Sequence, residues 1–131
     1  MGRKERAKGW ASYGINQWRK REIMAWCRQY DDWRSAISYG LSGIAQGSGG
    51  SGGNKISRPT EAQALRNERY YQNIEIVESA IRDVCPQIYD EMLDNIARGI
   101  PFSYLGVPYT ERDFYAIRIA VYALISERKK T

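Results

Sequence analysis

The sequence contains no histidine. That absence removes the side chain that most often acts as a general base near neutral pH, and with it the Ser-His and Cys-His nucleophile pairs. It also removes the commonest metal ligand. The two cysteines, Cys27 and Cys85, form no CxxC and are too few for a four-thiolate zinc site. No DxD or ExxH pattern offers a carboxylate alternative. The residues therefore point away from an enzyme, a cofactor and a metal. The two thiols read as buried or incidental groups in a reducing compartment. No apolar run approaches the ~20 residues that cross a bilayer. The basic start, Met1-Gly2-Arg3-Lys4-Glu5-Arg6, is followed by no apolar core of a signal peptide. A cytoplasmic protein without a membrane partner is expected.

What is present is apolar enough to fold. The chain has 131 residues, 43% of them hydrophobic, which suits one domain or one domain with an arm. The net charge is +5, and its placement is informative. Residues 1–46 hold nine Lys/Arg against four acids, whereas residues 54–131 hold eleven of each. Trp10, Tyr13 and Trp18 interleave with the N-terminal cations. That mixture suits an arm that contacts phosphates and stacks on bases. It equally suits a helix whose aromatics belong to a core and whose cations are solvated.

The periodicity is helical throughout, and the fold class expected is an all-α small bundle. Ile15, Trp18, Ile23, Trp26 and Cys27 fall at helical spacing, as do Tyr30, Trp33, Ile37 and Leu41. Asp31 or Asp32 is placed to cap the second of these two helices, and Gly40 and Gly43 weaken its end. Residues 47–53 are all glycine and serine, a flexible coil that spans ~15 Å on average. The run is either an engineered linker or a native glycine-rich loop. It divides residues 1–46, a basic arm and two short helices, from residues 54–131.

Beyond the run, Thr60 and Gln63 form a capping box. It opens a helix over 61–84 whose stripe is Ala64, Tyr70 or Tyr71, Ile74, Val77, Ile81 and Val84, with Glu75 and Glu78 turned outward. Pro86 starts another helix after a break at Cys85. Ile88, Tyr89, Met92, Leu93 and Ile96 are its buried stripe, and Gly99 is a left-handed C-terminal residue.

The spacing after Gly99 predicts a C-terminal helix-turn-helix. Residues 100–105 have room for a short helix. Gly106-Val107-Pro108-Tyr109 makes a turn, because glycine permits positive φ and proline forbids continuation. Thr110 caps a helix from 111 to about 128, with acids in its first turn and Arg128, Lys129 and Lys130 at its negative end. Such an arrangement presents the start of its last helix to a major groove. The candidates for base contact are Glu111, Arg112, Tyr115, Ala116, Arg118 and Ile119, with Arg112 suited to bidentate readout of guanine. The candidates for backbone contact are Arg3, Lys4, Arg6, Lys8, Arg19, Lys20, Arg21, Thr110, Arg128, Lys129 and Lys130. Residues 86–131 hold six cations and six acids, so this reader is neutral. Phe114, Ile117, Val121, Leu124 and Ile125 form a core stripe on the last helix. Tyr115, Ile119 and Tyr122 form a second strip, which needs the N-terminal helices, a second subunit or a DNA groove to cover it.

These residues resemble the phage late-transcription regulators of the ArpU/RinA type, whose helix-turn-helix is similar to sigma-factor region four. The resemblance lies in Tyr30-Asp31-Asp32-Trp33 and Ile37, the glycine-rich run, Ser57-Arg58-Pro59-Thr60-Glu61, and the stretch from Leu105 to Leu124 with its Val107-Pro108-Tyr109-Thr110-Glu111-Arg112-Asp113-Phe114-Tyr115. It covers about residues 28–128. It implies a DNA-binding regulator that activates phage late genes in a bacterial host cell. Double-stranded DNA is the implied partner, with RNA polymerase and a second copy of the chain as further candidates. Ile119 and Ala120 depart from it, since that family's recognition helices are richer in Lys and Arg. The competing expectation is a helical protein-interaction or phage packaging module that docks through Tyr115, Ile119 and Tyr122.

Overall fold

The structure, a computed structural model, describes residues 9–37 and 61–129. Arg3, Lys4, Arg6, Lys8 and Lys130, the run over 47–53, and Leu41 and Thr60 lie outside the described residues. Among the described residues all regular structure is helical, so the chain is all-α. A 3₁₀ turn at Trp10–Tyr13 leads into α1, Gln17–Cys27. Helix α2 covers residues 30–37. Then come α3 at Glu61–Val84, a 3₁₀ turn at Pro86–Ile88, α4 at Tyr89–Arg98, a 3₁₀ turn at Phe102–Tyr104, and α5 at Glu111–Lys129.

Local chemistry explains most of these boundaries. Asn16 caps α1, its side chain accepting the Arg19 amide at 2.9 Å. Helix α3 spans the expected range, and Pro86 opens the turn that follows Cys85. Gly99 ends α4 at φ 73°, with its amide donating to the Asn95 carbonyl and that of Ile100 to Asp94. Two expectations are corrected. Asp31 caps nothing: α2 already begins at residue 30. The Asp31 carboxylate instead takes both ends of the Arg98 guanidinium, at 2.9 and 3.0 Å, and ties α2 to α4. Residues 100–105 hold only one 3₁₀ turn. Pro101 bars Ile100 from helical conformation, and Gly106 at φ 68° closes the segment.

The two sides of the glycine run share one core. Ile15, Ile23, Cys27, Tyr30 and Trp33 cluster with Val77, Ile81, Met92, Ile96, Phe114, Val121 and Ile125. Helix α5 is the spine of this cluster. Phe114, Val121 and Ile125 are buried as expected, but so is Tyr122, from the second strip. Its cover is internal: Trp10 stacks on it at 5.4 Å. Arg128 reaches Ser79 and Asp83 on α3, whereas Val84 lines a groove with Ala120 and Leu124. Helices α3 and α5 therefore run antiparallel, and the first half of α3 extends beyond the C-terminal end of α5. That half has no buried residue before Val77, and Ala64 is exposed.

Glu78 also departs from expectation. It does not face solvent but accepts the phenol hydrogen of Tyr30 and a 3.4 Å contact from Arg34. It lies one position from the buried Val77, at the edge of the apolar stripe, where α2 packs against α3.

Candidate nucleic-acid interface

Thr110 introduces α5 as a cap: its hydroxyl oxygen accepts the Asp113 amide at 3.1 Å. The hydroxyl expected at a phosphate is thus bound to its own helix. Glu111, Arg112 and Asp113 follow, all exposed. Arg112 makes no ion pair with any described residue. The other expected base contacts are drawn toward the body. Tyr115, Ala116 and Ile119 are half-buried. Tyr115 belongs to an aromatic cluster, 5.7 Å from Phe114 and 6.4 Å from Phe102.

Arg118 is held in place. It donates to the Asn95 side-chain oxygen at 3.1 Å, and its guanidinium lies 4.4 Å over Tyr115 and 5.6 Å from the Tyr122 ring. Asn95 donates onward to the Ile100 carbonyl at 2.9 Å. This chain of bonds fastens α5 to the segment that leaves α4, so Arg118 is not presented to a base edge. Asn95 went unnoticed in the sequence. Its signal was a polar residue inside the apolar stripe of Met92, Leu93 and Ile96, since buried polar groups are held by hydrogen bonds.

The N-terminal cations divide likewise. Arg19 donates to the Ser126 hydroxyl and carbonyl at 3.0 and 3.2 Å and pairs with Glu22, so it joins α1 to α5. Lys20 sits 5.3 Å over Trp10, and Arg21 sits 5.2 Å over the exposed Trp18. Arg128 donates to Ser79 at 2.7 Å and to Asp83 at 2.6 Å, and Lys129 lies 5.1 Å over Trp26. Trp10 thus belongs to the core, while Trp18 remains exposed. Ser126 and Arg112 stand at opposite ends of α5, ~21 Å apart at 1.5 Å per residue.

Other chemistry is sparse. Burial pushes the Cys27 thiol up to about 12 and the Cys85 thiol to about 11, so neither is a thiolate nucleophile near neutrality. Among the described residues no group of His, Cys, Asp or Glu could hold a metal ion. None of their helices is long and apolar enough to cross a membrane. A groove of about 460 Å³ beside α5 is lined by the largely apolar set Tyr13, Ile15, Val84, Ala120, Ala123 and Leu124, with Ser126 and Glu127 at its polar edge. No family model, curated protein or solved structure matches the chain.

Proposed function

We propose that the protein is a DNA-binding transcriptional regulator, of the phage late-gene activating kind that its sequence resembles. The support is the first turn of α5. It follows α4, a 3₁₀ turn and a glycine turn, the order of a helix-turn-helix, and presents Arg112 exposed and without a carboxylate partner among the described residues. In this reading Arg112 contacts a base edge, and Glu111 and Asp113 flank it. The cations of residues 1–46 supply the phosphate attraction that a neutral reader lacks. RNA polymerase and a second copy of the chain are the further partners.

Selection from random duplexes with the full chain tests this directly. A preferred site should emerge, and affinity for it should fall steeply as salt rises. Arg112→Ala should cost ~1–3 kcal/mol on that site and little on random duplex. No retardation of any duplex at low salt would reject the proposal.

One observation favours a second reading, a helical assembly module. Leu65 and Tyr71 on the first half of α3 are 65% and 55% exposed, with no described helix over them. A Leu65→Asp variant that loses self-association in sedimentation, with duplex binding absent in both chains, would decide for it.

A further inference from the structure

The segment that carries Arg112 is neutral in sequence, but the fold brings another cation to it. Arg28 follows α1 in the basic N-terminal segment, and its guanidinium lies against Gly99, the residue that ends α4. A Cβ on Gly99 would meet Arg28 side-chain atoms at 2.6, 2.7 and 2.8 Å, so a larger residue would turn the guanidinium aside, and the φ of 73° itself favours glycine. One turn earlier on α4, Asn95 holds Arg118. Two guanidiniums from distant parts of the chain therefore lie against the last turn of α4, Arg28 at Gly99 and Arg118 at Asn95, where the chain turns toward α5.

Among the described residues neither has a counter-charge. Arg28 is exposed; its backbone amide donates to the Ala25 carbonyl, but its side chain makes no hydrogen bond or ion pair with a described residue. Two acids of this region are already engaged, since Asp31 and Asp94 both pair with Arg98, at 2.9 and 2.7 Å, and the exposed Asp32 makes no ion pair with Arg28. Arg118 bonds a neutral amide, and its Nε is buried without a partner. An exposed planar guanidinium, free of carboxylates and backed by a second cation, has the donor geometry that phosphate oxygens accept in pairs.

We propose that Arg28 is a phosphate contact of the DNA-binding face, lent by the N-terminal segment to the neutral C-terminal reader. This rests on the DNA-binding reading above. The competing role is structural, a cation that stabilises the negative end of α4.

Retardation of the selected duplex across a salt series, with the full chain and its Arg28→Gln and Arg28→Lys variants, separates these roles. Losing one phosphate contact should shallow the slope of log affinity against log salt by ~0.9 in the Gln variant. The Lys variant should restore most of the slope. The preferred sequence and the melting temperature should stay as in the parent chain. An unchanged slope with a lowered melting temperature would overturn the proposal and assign Arg28 to the α4 terminus. An altered sequence preference would overturn it too, in favour of a base contact. A parent chain that shifts no duplex would instead overturn the DNA-binding reading on which it stands.

Discussion

Tyr30 is buried, and its hydroxyl donates to Glu78 while accepting from Arg34 at 3.1 Å. Burial, and then the hydrogen bond to Glu78, push the phenol from 10.0 up to about 12. A phenol whose folded value is raised stabilises the fold fully below its unfolded value, and that stability is lost as pH rises through the folded one. Between pH 10 and about 12 the protein should therefore lose stability, and Tyr30→Phe should reduce that loss, leaving the share of Tyr122, whose phenol burial also raises. At pH 8 the same variant should be less stable by ~1–3 kcal/mol, because the buried edge of Glu78 loses a donor. Urea unfolding of both chains across this pH range measures both effects. The Tyr30–Glu78 link was not legible in the sequence. Glu75 and Glu78 read as a solvated pair because nothing in α3 alone says where α2 will lie. The Thr110 cap was legible, because a cap depends only on its own helix.

Among the elements, α3 is divided and α5 is not. The first half of α3 buries no residue and reaches the core only in part, through Tyr70, whereas Val77, Ala80 and Ile81 are sealed in the core. Short helices without tertiary packing are marginal in water. Amides over 63–72 should exchange with deuterium well before those over 77–84, and equal protection of the two halves would refute the division. The bounds of α3 could be read because the Thr60 and Gln63 pattern announces its start and Pro86 follows its end. The loosely packed half could not, because Ala64 keeps the apolar spacing although it is exposed, while Tyr70 and Ile74 on the same stripe reach the core only in part. The second strip of α5 was visible as a surface in need of a cover. That Trp10 supplies it at Tyr122 is a tertiary fact, carried by a turn some hundred residues away.

At the scale of the molecule, the glycine run marks no boundary in the packing. All four tryptophans lie in residues 1–46, while most described helix lies in residues 61–129. Tryptophan fluorescence and far-UV circular dichroism therefore report different parts of one core. Their unfolding transitions should coincide. Phe114→Ala, a fully buried position on α5, should lower both together by ~3–5 kcal/mol. A fluorescence transition that ignores this substitution would show two independent units. Charge counted along the sequence also misled at this scale. It assigned the cations to the N-terminal segment, but Arg19 ends on Ser126 and Arg28 ends on Gly99, both in the other part of the chain.

The spine position of α5 has a practical corollary. Most of its length is committed to packing: Phe114, Val121 and Ile125 fill the core, Arg118 is fastened to Asn95, and Arg128 to Asp83. Only the opening turn is unencumbered. A combinatorial library randomised at Glu111, Arg112 and Asp113, with Thr110 retained, would rewrite the exposed chemistry of the tip on an intact scaffold. The same diversity introduced two turns later would mostly yield clones that fail to fold.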